Sequence, residues 1–179
     1  MHPAKSIIAF TTLSGLGFGL LAWLGSGLAD FSGWVGFTFH AIGLLLASAG
    51  LLFSTFHLGH PERALRAFTQ WRSSWLSREA WAAASALTLM GLHALSVLNG
   101  TPVQALGLAG AALSLATVFT TSMIYAQLKT VPRWHSWATP ALFMALALGG
   151  GALLAAQTTA AAPLLAAAAA LQLIWWMQG

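Results

Sequence analysis

Two titratable residues stand near the ends of one polar stretch, FHLGHPERALRAFTQWRSSWLSREAW, residues 56–81: His57 and Glu79. Between them come His60, Glu62, Arg63, Arg66, Arg72 and Arg78, so that six of the ten formally charged side chains of the whole chain fall here. Histidine titrates near neutrality and takes or gives a proton without large perturbation. A carboxylate beside it adds a second proton acceptor. Such a pair suits substrates that lose protons as they react. Two further histidines, His40 and His93, lie in apolar surroundings, and His135 sits in a second polar stretch. There is no cysteine. This excludes disulfides, thiolate zinc sites and iron–sulfur clusters held by this chain. Any electron carrier of that kind belongs to another subunit.

The elements that position these groups follow from composition. The chain has 179 residues, 58% of them hydrophobic and 6% charged. A soluble domain carries about 25% charged residues, so this material builds no water-facing surface and the chain reads as an integral membrane protein. Helices are the default, because each backbone polar group in lipid must be satisfied within its own segment. Six apolar segments are near span length: 6–28, 33–56, 79–98, 103–127, 137–156 and 163–178. The expected fold is all-α, a polytopic transmembrane helical bundle of about six spans in a single membrane domain. No cleavable leader is evident, and the first segment reads as a retained span. Gly15 and Gly19 form a small-xxx-small pair that predicts close helix packing. A dinucleotide loop would need a preceding strand, which is lacking. Gly149-Gly150-Gly151 reads as packing or a kink.

The cations alternate in placement. Lys5 precedes the first span, Arg63, Arg66, Arg72 and Arg78 lie between the second and third, and Lys129 and Arg133 between the fourth and fifth. All seven fall on one side of the membrane, and the positive-inside rule makes that side, with the N-terminus, cytoplasmic. A strongly basic balance here is a topology signal and not a sign of nucleic-acid binding.

Within the polar stretch, Pro61 is well placed to start a helix. Ala64, Phe68, Trp71 and Trp75 follow at offsets of four, seven and eleven, which predicts an interfacial amphipathic helix over residues 61–72. Ser77 is the expected N-cap of the third span, with Glu79 in its first turn. His57 would then close one span and Glu79 open the next at the same membrane face. That arrangement fits a hydroxylated, lipid-soluble substrate such as a quinol, whose hydroxyls need partners that take protons as electrons leave. The plainer readings are that the arginines set topology and touch lipid headgroups, that His57 is an interfacial side chain, and that Glu79 balances Arg78. His57 and His60 have metal-ligand spacing, but Gly59 and Pro61 break the helix that would use it. Glu79 and His93 are separated by about 21 Å of helix rise, which puts His93 level with His40 near the uncharged side. These two, with His57 and His135 as a second pair, form the pattern a b-type haem would use. Interhelical hydrogen bonding is the alternative.

Several stretches together resemble the membrane anchor subunit of the dimethyl sulfoxide reductase family: HPAKSIIAFTTLSGLGFGLLA, HLGHPERALRAF, SSWLSREAW, and YAQLKTVPRWHSWATP followed by GGG. Their order and spacing cover nearly the whole chain. Anchors of this family are longer, with eight spans, so the chain resembles a C-terminally shortened member. The resemblance implies a subunit of the bacterial inner membrane that holds a molybdopterin catalytic subunit and a four-cluster iron–sulfur subunit. It implies binding and oxidation of menaquinol in anaerobic respiration and no haem. By motif, the histidine of HLG and the glutamate after LS are the quinol-site residues, here His57 and Glu79. Arg63, Arg66 and Arg78 become candidates for the same site, and Arg63, Arg66 and Arg72 for contact with the partner or headgroups.

Overall fold

The computed structural model describes residues 5–55 and 61–177. It is all-helical among those residues. Six α-helices follow in order: α1 (Lys5–Gly25), α2 (Gly33–Thr55), α3 (Trp75–Leu98), α4 (Gln104–Ala126), α5 (Ala138–Leu154) and α6 (Thr158–Met177), with a 3-10 helix, Pro61–Phe68, between α2 and α3. Five of the six are long and apolar enough to cross a membrane. The exception is α5, with 17 residues. It rises about 26 Å, at the lower limit of spanning length.

The α1 helix is the hub. It packs on α2, α4 and α5, while α3 packs on α2 and α4, and α6 packs on α5. So α1 to α4 make a four-helix bundle and α5 with α6 forms a hairpin against one side of it. Water release contributes little to contact between helices already in lipid, so close backbone approach has to hold them together. The glycines of α1 supply it on three sides. A Cβ at Gly17 would run into Ala47 and Gly43 of α2, one at Gly19 into the Ala147 carbonyl of α5, and one at Gly25 into Gly107 of α4. Gly15 departs from its expected role, because a Cβ there would meet no atom within 4 Å. The close pair across the seam is Gly19 with Gly151 of α5. Phe18, Leu20, Leu21, Leu24 and Met90 fill the core between these approaches. Trp34, Leu45, Leu52 and Leu153 stay exposed on the outside, as lipid contact allows.

Three boundaries shift from expectation. Ser74, and not Ser77, caps α3: its hydroxyl accepts the Ser77 amide at 3.4 Å and its backbone is extended. Ser77 is buried one turn in, where its hydroxyl accepts the Gln70 amide at 3.2 Å. Glu79 therefore lies beyond the first turn. The interfacial helix ends at Phe68 rather than 72 and is 3-10 in form. The Thr69 amide and hydroxyl both donate to the Arg66 carbonyl, at 3.1 and 2.8 Å, and the next amide, that of Gln70, goes to the Ser77 hydroxyl and not to a preceding carbonyl. The last helix starts at Thr158, with Pro163 inside it. The Gln157 carbonyl already holds the Ala160 and Ala161 amides, and the alanine run 160–162 outweighs one missing bond.

With this alternation of helices, Lys5, Arg66, Arg72, Arg78, Lys129 and Arg133 fall at one end of the bundle and Asp30 at the other. The uncharged end is closed by tight turns. After Asn99, Gly100 takes a left-handed φ of +73° and the Thr101 amide reaches back to the Ser96 carbonyl at 3.0 Å.

Candidate functional site

At the charged end, α3 places Glu79 against α4. Glu79 is only 4% exposed. A buried ionisable group within a span needs a partner, and Glu79 Oε1 accepts a hydrogen bond from the Thr121 hydroxyl. Thr121 Oγ1 also stands 2.9 Å from the Thr117 carbonyl. One hydroxyl proton cannot serve two acceptors at once. With Glu79 ionised, Thr121 donates to the carboxylate. With Glu79 protonated, the acid donates to Oγ1 and Thr121 turns its proton to Thr117. The pair thus accommodates both protonation states without moving a helix. Burial and an interhelical bond take Glu79 out of the role of a simple helix-start charge.

Around this pair the walls are aromatic. Tyr125, one turn beyond Thr121 on α4, lies edge-on to Trp134 at 5.3 Å and tilted on Phe143 of α5 at 5.6 Å. Trp75 meets Phe119 edge-on at 6.2 Å. Arg78 straps the entrance to α3. Its Nε donates to the Trp71 carbonyl at 3.1 Å, its Nη2 to the Arg72 carbonyl at 2.8 Å, and its guanidinium lies 4.3 Å over the Trp75 ring. Trp81 Nε1 donates to the Phe68 carbonyl at 3.0 Å, tying the 3-10 helix to α3. Arg66 and Arg72 are exposed at the membrane edge, Arg72 over the Trp71 ring at 5.4 Å. Arg63 lies in the 3-10 helix. His57 and His60 lie outside the described residues.

His40 and His93 do face each other near the uncharged end, both buried, with ring centroids 5.2 Å apart in an edge arrangement. Each anchors Nδ1 on a backbone carbonyl, His40 on Gly36 at 2.7 Å and His93 on Val103 at 3.2 Å. The contact is ring to ring. His135 is exposed, and its Nδ1 lies 2.7 Å from the Ala126 carbonyl, bracing the turn before α5. Among the described residues no group of three or more His, Asp or Glu could hold a metal ion.

Thr121 and Tyr125 were not visible as site residues in the sequence. The available signal was the hydroxyl run Thr120-Thr121-Ser122 at the charged end of α4. Such residues commonly bond back to the preceding helical turn, and that ordinary use conceals the one that faces Glu79.

The family described as DMSO reductase anchor subunit (DmsC) matches residues 7–175. The chain belongs to that family. The C subunit of the sulfite dehydrogenase from Allochromatium vinosum is 38% identical to this anchor subunit over 168 residues, which is 82% of this chain and 52% of that protein. The anchor subunit thus spans about half the length of that relative. No solved structure matches it. Membership in a family of membrane anchors agrees with the helices long enough to span.

Proposed function

We propose that this anchor subunit binds menaquinol at the charged end of the bundle and oxidises it, with Glu79 and His57 as the proton acceptors. The observation that carries the reading is the buried Glu79 carboxyl, bonded across to Thr121 at the end of the bundle that bears the cations. Each oxidation breaks two quinol O–H bonds. One proton goes to Glu79 and one to His57, and the two electrons leave one after the other as the quinone forms. The chain has no cysteine to hold a cluster. In this reading, as the family resemblance implies, the electron acceptor is a four-cluster iron–sulfur subunit, which passes electrons to a molybdopterin catalytic subunit. Arg63, Arg66 and Arg72 lie in the segment that faces this partner or the lipid headgroups. The positive-inside rule puts that end, with the N-terminus, on the cytoplasmic side of a bacterial inner membrane.

The relative named as a dehydrogenase subunit favours a second direction of flow. In a complex that oxidises its substrate, the same groups would deliver protons as a quinone is reduced. Membranes carrying the whole complex test both readings. Glu79→Gln and His57→Arg should each abolish electron exchange with a menaquinol analogue, in whichever direction the complex runs, while the complex stays membrane-bound. Unchanged exchange in both variants would refute the site.

A further inference from the structure

A cleft of about 380 Å³ opens between α1, α4, α5 and α6. Its walls are Leu16, Val118, Phe143, Leu146 and Leu165, with Thr11 and Thr12 from α1. Its size falls among small-molecule sites, which are mostly apolar with a few placed polar groups. Leu146 is 47% exposed on the outer face of the bundle, so the cleft opens toward the bilayer. Gly15 keeps it open, being the α1 glycine that presses on no neighbour.

Next to it is a second space of about 10 Å³, bordered by Ser14, Phe18 and Thr121. Thr11, Gly15, Val118 and Phe143 line both, so the two adjoin. The smaller has the room of a single water molecule. Thr11, Ser14 and Thr121 are the hydroxyl-bearing residues that line it, and the Thr11 hydroxyl donates to the Ile7 carbonyl at 3.0 Å. Ser14 is committed to the Phe10 carbonyl at 2.6 Å, whereas Thr121 is the residue that donates to Glu79. Thr121 therefore both bonds the carboxyl group and lines the water-sized space.

We propose that this cleft takes the ring of the quinol from the bilayer, and that one of its protons reaches Glu79 through a water in the small space and the Thr121 hydroxyl. The inference rests on the reading of Glu79 as a proton acceptor. One quinol O–H bond breaks and its proton passes to the water. The water gives a proton to Thr121 Oγ1, and the Thr121 hydroxyl proton goes to Glu79. The second O–H proton leaves as in the reading above, and the two electrons pass in turn to the iron–sulfur subunit. Thr121 is a positioning and relay residue, and Gly15 a space-keeping one.

The test uses membranes carrying the whole complex, an azido-naphthoquinone photoprobe and quinol-driven turnover. The probe should label α1 and α5 at the cleft, and menaquinol analogue should compete it away. Gly15→Leu should remove that label and raise KM at least about tenfold while kcat is largely kept. Thr121→Val should lower kcat about 10²-fold, the lower range for a lost proton-transfer group, with KM within about twofold. Thr121→Ser, which restores the hydroxyl, should recover kcat; a merely structural Thr121 would not give this split. The proposal is overturned if Gly15→Leu and Thr121→Val turn over normally while Glu79→Gln is inactive, a result that leaves the Glu79 reading standing. If Glu79→Gln is also normal, both fall. Labelling of the cleft by a photoreactive phospholipid, without competition by quinol, would make it a lipid site and also overturn the proposal.

Discussion

Replacing Gly19 by alanine adds one methyl group at the narrowest seam of the bundle. Built in place, that methyl runs into the Ala147 carbonyl and stands 3.3 Å from Gly151 Cα. Both are backbone atoms, so no side-chain rotation relieves the clash and α1 must part from α5. Overpacking of a tight contact costs about 1–3 kcal/mol. Parting the helices also stretches the bond from Trp23 Nε1 to the Leu148 carbonyl, 2.9 Å in the wild type. An interhelical bond in a membrane contributes about 0.6 kcal/mol and at most about 1.7 kcal/mol. Alanine, the better helix former, returns about 1 kcal/mol, so the expected loss is about 1–4 kcal/mol. Gly91→Ala on α3 is the control: its methyl meets nothing within 4 Å, and alanine is the better helix former by about 1 kcal/mol. Unfolding of the purified full chain in mixed micelles, by a denaturing-detergent titration followed through tryptophan fluorescence, measures both. If Gly19→Ala were as stable as the wild type, or Gly91→Ala equally destabilised, the argument from backbone contact at the α1–α5 seam would be refuted.

Arg78→Lys keeps the charge but not the fork that holds two carbonyls; limited proteolysis should cut the 69–74 segment several times faster than in the wild type, whereas Arg66→Lys, at an exposed position, should change nothing. Ser74→Ala removes the α3 cap and should cost about 1 kcal/mol in the same detergent titration. Trp175→Phe loses the 3.2 Å bond to the Thr139 hydroxyl that ties α6 to α5 and should lower stability by about 0.6 kcal/mol. Reporter fusions after residues 30 and 100 should read one compartment and those after residues 67 and 131 the other; a shared compartment would overturn the alternation of the first four helices.

Much of this architecture was legible because lipid leaves few choices. An apolar run of span length has to be a helix, and Arg63 to Arg78 with Lys129 and Arg133 mark one side. The facing of His40 and His93 followed from helix rise alone. What was not legible depended on which of several equivalent groups wins a backbone bond. Ser74 and Ser77 are both good caps, and the one chosen depends on where Gln70 passes. The helix expected to run to residue 72 stops at Phe68, where the next amide but one, that of Gln70, goes to the Ser77 hydroxyl. Gly15 and Gly19 look alike in sequence, yet one keeps a cleft open and the other presses on α5. Glu79 was visible by its charge, Thr121 was not, because its hydroxyl is chemically ordinary until α3 is packed beside α4.

The hub position of α1 also sets an order in time. Its contacts with α2 and α4 are available once residue 126 has been made, but Gly19 faces Ala147 and Trp23 bonds a carbonyl 125 residues away in the chain. During synthesis one flank of α1 therefore waits in lipid until the α5–α6 hairpin arrives. The Glu79–Thr121 pair belongs to the early assembly, and the cleft beside it to the late one. A chain halted before α5 would already hold its buried carboxyl group but would have no chamber leading to it, so the route from the bilayer becomes available only when the hairpin docks.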